Sequence, residues 1–278
     1  MLNLSLSRPP DLPDFKAPPV VEVALSVQFE PVGLTTRHLA ELWTESKQQF
    51  PHWRDQVPLA PTFELFGVPP AESAWRFDFG PPPLRRAVFE NADGTELKQF
   101  QADRLVRNWT KGGDPYPRFE YICDRFLEDL KAFCDFSERH GLGRVTPNQC
   151  EVTYVNLIPP SASGAPDLSE IVAAWTGSFS DAFLARPESA EVAAHFVIRK
   201  SDASPIGRLH IVAAPGVDRE TGDPLTRLTL TARGQPLDAN TEGVLAFLRL
   251  GREHIVRGFT SFTTTKMHEK WGRCDGAT

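Results

Sequence analysis

Along Pro18–Phe29 apolar and polar positions alternate with a period of two. Val21, Val23, Leu25, Val27 and Phe29 share one side, and Glu22, Ala24, Ser26, Gln28 and Glu30 the other. That is the pattern of a strand with one buried face. Pro31-Val32-Gly33 breaks it. A helix capped by Thr35 or Thr36 is predicted to about Phe50, with Leu39, Leu42 and Trp43 inward and Pro51 as its stop. Apolar runs at Phe63–Phe66, Trp75–Phe79 and Arg86–Glu90 predict three short strands. A turn over Asn91–Gly94 then leads into one long strand, Thr95–Trp109. From Arg118 to about Arg139, Phe119, Ile122, Cys123, Phe126, Leu127, Leu130 and Phe133 recur every three or four residues, the clearest helical stripe in the chain.

The remaining chain repeats this order. It predicts a strand at Cys150–Ile158, a helix from Leu168 to Trp175 or on to Leu184, and strands at Glu191–Arg199, Arg208–Ala214 and Leu225–Ala232. A helix over Thr241–Gly258 and a short helical turn at Met267–Trp271 follow. Placing Glu22 on Glu151 also matches Pro18 with Pro147, Val23 with Val152 and Pro31 with Pro160. The reading is an α+β chain of two pseudo-symmetric β-α-β-β-β(-β)-α halves, forming a curved antiparallel sheet with the long helices on one face. Residues 1–17 form an extended N-terminal arm, 18–143 the first half, and 144–278 the second half with a short C-terminal helix. The order resembles the helix-grip architecture, including the saddle of the TATA-box-binding protein. That likeness concerns fold and carries no function.

A formal charge of −6 across 278 residues gives no general attraction to phosphate backbones. The four cysteines form no C-x-x-C pair, and no run approaches 18 apolar residues. The N-terminus has no signal-peptide pattern. The expectation is a cytoplasmic protein with reduced thiols and no membrane contact. Phosphate-cradle, dinucleotide, zincin and nucleophile-elbow motifs are absent, so no cofactor, no metal and no catalytic set is expected.

Several phrases resemble a bacterial family with a sporadic distribution across genomes. They are Pro18-Pro19-Val20-Val21-Glu22-Val23 with Gln28-Phe29, Gln99-Phe100-Gln101-Ala102-Asp103-Arg104 with Asn108-Trp109, and Tyr116-Pro117 with Phe119-Glu120. Glu151-Val152 with Tyr154 and Asn156, and Phe259-Thr260 with His268 and Trp271-Gly272, complete the set. Thr110 departs from the pattern, which has a basic residue after Asn-Trp. The family carries no established activity, so the resemblance implies none here.

Three sets of residues are candidates for a working surface. Gln99, Gln101, Asp103 and Arg107 alternate onto one face of the predicted strand Thr95–Trp109, with Lys98, Arg104 and Asn108 on the other, and Asp103 can pair with Arg104. Glu22 and Glu151 are expected symmetry mates at the seam between halves. His268 and Glu269 follow a threonine-rich turn, but adjacent helical residues diverge by about 100° and make a poor acid–base dyad. His195 and His210 are expected to approach across a hairpin, without further metal ligands in view. Arg85, Arg86, Lys98, Arg104, Arg107 and Lys111 form a basic cluster diluted by Glu90, Asp93, Glu96 and Asp103.

The leading functional expectation is a non-enzymatic binding protein with a protein partner or a second copy, using the open sheet face or the cleft between halves. A small-molecule binder or enzyme with a cavity between sheet and helices is the first alternative. A saddle-like nucleic-acid binder is the second.

Overall fold

The computed structural model describes residues 8–67, 84–160, 167–176, 187, 189–218 and 220–274. The predicted strand Trp75–Phe79 and the extension of the helix to Leu184 lie outside them. The elements in order are β1 (Asp14–Phe15), β2 (Val20–Phe29), α1 (Thr36–Ser46), β3 (His52–Gln56), β4 (Arg86–Glu90), β5 (Glu96–Gln101), β6 (Arg104–Thr110) and α2 (Arg118–Arg139). They continue with β7 (Pro147–Ile158), α3 (Leu168–Ile171), β8 (Val192–Arg199), β9 (Pro205–Val217), β10 (Pro224–Gly234), α4 (Thr241–Phe262), α5 (Thr265–Lys270) and β11 (Arg273–Cys274).

Nine strands form one antiparallel sheet in the order β3-β4-β5-β6-β2-β7-β10-β9-β8. Each half opens with a central strand, β2 or β7, and the last strand before its long helix, β6 or β10, returns beside it. The central strands pair antiparallel to each other, Leu25 opposite Val152, which makes the sheet continuous across the halves. The long helices α2 and α4 cover one face, and the buried apolar residues of both halves form a single core. Asn240 caps α4 by accepting from the Gly243 amide at 2.8 Å. Gly234 lets α4 lie close to β9 and β10, since a Cβ there would sit 2.3 Å from the Ile206 carbonyl and 2.6 Å from the Phe247 ring.

The arm is docked. β1 pairs with β11, Leu12 is fully buried, and Phe15 packs edge-on to Phe259 and Trp271. Glycine supplies the expected left-handed residue of the Asn91–Gly94 turn, with Gly94 at φ +74°.

Three local expectations are corrected. The predicted strand Thr95–Trp109 is a hairpin, β5–β6, turning at Ala102-Asp103 with Gln101 opposite Arg104. Paired residues there sum to an odd number, so the turn exchanges the two faces. Arg107 falls opposite Lys98 on the helix side, while Gln99 and Gln101 share the other side with Arg104, Val106 and Asn108. The run Phe63–Phe66 is not a strand, and its place at the sheet edge is taken by β3. Finally, β2 is buried on both faces around Ser26 and Gln28.

The second burial has a cause. After β3 the chain leaves the sheet edge and crosses the helix-free face as a strap over residues 57–67. The Leu59 amide donates to Gln101 Oε1 at 2.9 Å, Gln101 Nε2 donates back to the Leu59 carbonyl at 2.9 Å, and the Thr62 amide donates to Gln28 Oε1 at 2.9 Å. Glu64 then reaches the second half, where it meets Arg208, His210 and Arg233. Its side chain is 5% exposed. Phe63 and Leu65 point the other way and are 53% and 66% exposed.

Candidate functional site

The expected polar ladder is an internal network. Gln99 accepts from Arg86 at 2.7 Å and donates to Asn108 at 2.6 Å. Gln101 donates to Asp103 at 2.5 Å. Arg104 donates to Gln28 at 2.6 Å and to the Ala60 carbonyl at 3.1 Å rather than pairing with Asp103. Arg107 is buried on the opposite face, where Asp129 of α2 accepts from Arg107 at 2.6 Å and from Lys98 at 2.6 Å. Glu96 also meets Arg107. Arg86, Lys98, Arg104 and Arg107 of the basic cluster are thus engaged inside the molecule.

Glu22 and Glu151 accept hydrogen bonds within their own halves, and Glu151 also attracts Arg104 of the first half across the seam. Glu22 accepts from Asn108 of β6 at 2.6 Å, and Glu151 from Arg233 of β10 at 2.5 Å. Backbone pairing of β2 with β7 holds the seam. At the C-terminus, His268 is buried against Phe15 with Nε2 2.9 Å from Thr263 Oγ1, while Glu269 is exposed. The two diverge, and Trp271 fills the core beside Phe259.

His195 and His210 are opposite each other in the β8–β9 register, ring centroids 4.8 Å apart. Glu64 adds a carboxylate, 2.7 Å from His210 Nε2. Burial raises the Glu64 pKa, but His210, Arg233 and Arg208 outweigh it and hold the carboxyl below its ordinary value. Partial desolvation, then the nearby His210 and Arg208, lowers that of the exposed His195. With two arginines already on Glu64, the set repels a further cation.

A different group converges at the seam, between the middle of the sheet and the start of α2. Val20, Tyr154, Asn156 and Leu230 form the sheet wall, Arg252, Ile255, Val256 and Phe259 of α4 the roof, and the arm closes the side with Arg8, Asp14 and Phe15. Tyr116 and Arg118 enter from the lead into α2. The cavity is ≈ 70 Å³, about the size of one small polyatomic anion by the room a few waters need. Arg252 also lines a neighbouring cavity of ≈ 480 Å³ with Glu120, Arg199, Lys200, Arg249 and Glu253.

Each polar group here is held in place. The Tyr116 and Tyr154 hydroxyls lie 2.9 Å apart. Burial pushes the Tyr154 hydroxyl up to about 12, and burial together with Tyr154 holds Tyr116 well above its ordinary value. Both therefore stay neutral donors and cannot serve as bases near pH 7. Arg252 is buried over the Phe119 ring and pairs with Glu120 at 3.1 Å, while its Nε, also buried, has no hydrogen-bond partner. Arg118 donates to Asp14 at 2.6 Å, and Arg8 stands 3.7 Å from the same carboxylate. Burial lowers the Arg8 pKa, and Arg252 and Arg118 lower it further. Arg118 has φ +77°, a left-handed backbone on a non-glycine residue at the first position of a helix. Such strain clusters at ligand-holding positions.

Three guanidinium groups face two carboxylates, Asp14 and Glu120, leaving one positive charge in excess. A bound group with a single negative charge would balance the site. It would take hydrogen bonds from whichever phenol does not donate to the other and from the orphaned Arg252 Nε. The arrangement is suited to hold and orient such a group, and among the described residues that line it no nucleophile stands against a base. In the sequence, Tyr116, Tyr154 and Asn156 stand out only as family-like residues and none of the three arginines as a candidate, Arg118 appearing only as the start of a helix. They come from the arm, α2 and α4, and no spacing rule joins them.

A further cavity of ≈ 680 Å³ opens between α4 and the strands β8 and β9, floored by Phe196, Leu209 and Ile211 and rimmed by His254 and Arg257. In the first half Trp43 of α1 packs on Trp53, and Trp53 on Phe89.

No family model and no curated protein matches this chain. Among the described residues no helix is long and apolar enough to cross a membrane.

Proposed function

We propose that this chain is a binding protein for a small molecule carrying one anionic group, a carboxylate or a phosphate, held at the seam between its two halves. The observation that supports it best is the convergence of Arg8, Arg118 and Arg252 with the Tyr116–Tyr154 pair, Tyr154 buried and Tyr116 partly so, on one cavity, where cations outnumber anions by one. Charge-assisted hydrogen bonds from guanidinium to oxyanion are the strong class. The neighbouring ≈ 480 Å³ cavity has room for the rest of a metabolite-sized ligand. The four free thiols fit a reducing cytoplasm as the place of action.

Calorimetric titration with inorganic phosphate, acetate and a set of mono- and dicarboxylates tests this reading. Saturable binding is expected, weakened about 10- to 100-fold in Arg118→Ala, the worth of one hydrogen bond to a charged group. Binding of the tightest anion with unchanged affinity in Arg118→Ala and Tyr154→Phe would refute it.

A protein partner is the second reading, supported by the outward Phe63 and Leu65 on the strap. If a second copy binds there, Phe63→Asp with Leu65→Asp converts a dimer to a monomer in light scattering. An unchanged mass removes the strap as that interface.

A further inference from the structure

We infer that His38, Glu41 and His140 form a binding site for a divalent transition-metal ion of the Zn2+ class, tying the first turn of α1 to the end of α2. One ligand atom from each residue lies within 4.8 Å of the other two. Ligands held about 2.1 Å from a tetrahedral metal are about 3.4 Å apart. Glu41 Oε2 and His140 Nδ1 already stand at 3.4 Å, so His38 is the ligand that has to close in.

The chemistry of the set fits such an ion. Two imidazoles and a carboxylate are ligands of zinc and its first-row neighbours. His38 and Glu41 are three apart on α1 and share a face. Glu41 Oε2 is buried and accepts no hydrogen bond, an orphaned acceptor that a cation would satisfy. Thr35 Oγ1 lies 3.0 Å from His38 Nδ1. The Thr35 amide donates to the same Nδ1 at 3.2 Å, so ligation through Nε2 requires the ring to give up that amide bond and turn an Nδ1–H to the hydroxyl, the outer-shell arrangement that ligating histidines use. Phe136 stacks on the His140 ring, centroids 4.1 Å apart, and fixes its plane. His140 also caps the C-terminus of the 22-residue α2, its amide donating to the Phe136 carbonyl, and a helix C-terminus favours positive charge.

A cation already occupies the neighbourhood. Arg37 Nη2 stands 3.1 Å from His38 Nε2, and Arg37 Nε is 3.9 Å from Glu41 Oε1. A guanidinium only donates, and so does the Thr35 amide at Nδ1; a neutral imidazole has one lone pair and accepts from only one of the two. The Arg37 side chain is 74% exposed and can swing into solvent. Three protein ligands then leave a fourth position for water.

The test uses the full, untagged chain after treatment with chelator. Zn2+ titrated by calorimetry is expected to bind one to one, and Co2+ to give visible ligand-field bands. His140→Gln and Glu41→Gln are each expected to weaken Zn2+ at least 10-fold. Arg37→Ala, which removes the competing cation, is expected to tighten it, a change that a packing role for these residues would not produce. His140 faces solvent, so His140→Gln keeps the test valid if Glu41→Gln misfolds. The inference is overturned if the parent protein takes up no Zn2+, or if His140→Gln binds Zn2+ with the parent's stoichiometry and affinity.

Discussion

Replacing Arg118 by glycine and, separately, by alanine divides two roles that one residue combines. Its backbone sits at φ +77°, a conformation that costs a residue bearing Cβ about 1–2 kcal/mol. Glycine escapes that cost but gives back about 0.5–1 kcal/mol through its freer unfolded chain. The balance puts the glycine variant ahead of the alanine variant by about 1 kcal/mol. Both variants lose the ion pair with Asp14, whose partners are 48% and 33% exposed; pairs that open to solvent contribute only about 0.2–1 kcal/mol. Arg118→Ala should therefore melt slightly below the parent protein, and Arg118→Gly at or slightly above it. At about 2–4 °C per kcal/mol for a chain of this size, the two variants should differ by about 2–4 °C in calorimetric scans under one buffer. Anion affinity should fall equally in both, because both lack the guanidinium. A glycine variant no more stable than the alanine variant would show that the left-handed backbone carries no strain. Retained anion affinity in both would remove Arg118 from the site.

Asp129→Asn leaves Arg107 and Lys98 buried with only Glu96 to oppose them, and breaking a buried ion pair typically costs about 3–5 kcal/mol; thermal or urea melts should show a loss of that order. Exchanging Asp129, Lys98 and Arg107 together for apolar residues of similar size should recover most of it. Glu64 has its native pKa held below the ordinary value, so its contribution is complete above its unfolded pKa of about 4.3 and is lost as pH falls through the native value. Urea titrations between pH 3 and 6 should show a shallower acid loss in Glu64→Gln, and limited proteolysis should cut the 57–67 strap faster. Burial pushes the Cys123 thiol up to about 12 and raises Cys150 further; both should resist a disulfide reagent until the protein is unfolded, as mass spectrometry of the native adduct would show.

The halves and their long helices were legible in the sequence because their apolar periods are unbroken. The stripe from Phe119 to Phe133 predicts α2, bounds included. The alternation from Val21 to Phe29 predicts β2 as a strand with one buried face; its central place beside β7 and the burial of its other face by the strap come from the fold. The hairpin at Ala102-Asp103 was not legible, since it has neither glycine nor proline and lies inside a continuous strand-like pattern. That one turn reversed which face Arg107 occupies and changed a surface ladder into two internal networks. β3 reads His52-Trp53-Arg54-Asp55-Gln56, an edge strand with a single apolar side chain to signal it. The run Phe63–Phe66 misleads for the opposite reason: its buried member is Glu64, held by ion pairs, and its apolar neighbours face outward. The candidate sites were hidden by distance along the chain. Arg8, Arg118 and Arg252, like His38 and His140, meet only once the helices have packed, and no local pattern anticipates that.

The strap also sets an order of events during synthesis. Glu64 lies 144 residues before Arg208, and ribosomes add about 5–20 residues per second. For about 7–29 s the nascent chain holds a carboxylate whose partners have not yet been made, with Phe63 and Leu65 beside it. The first half can pair β2 with β6 in that interval, but its strap has nowhere to fasten beyond Gln28. The strap beyond Thr62 then stays open to solvent, chaperones and proteases until β9 and β10 arrive to hold Glu64.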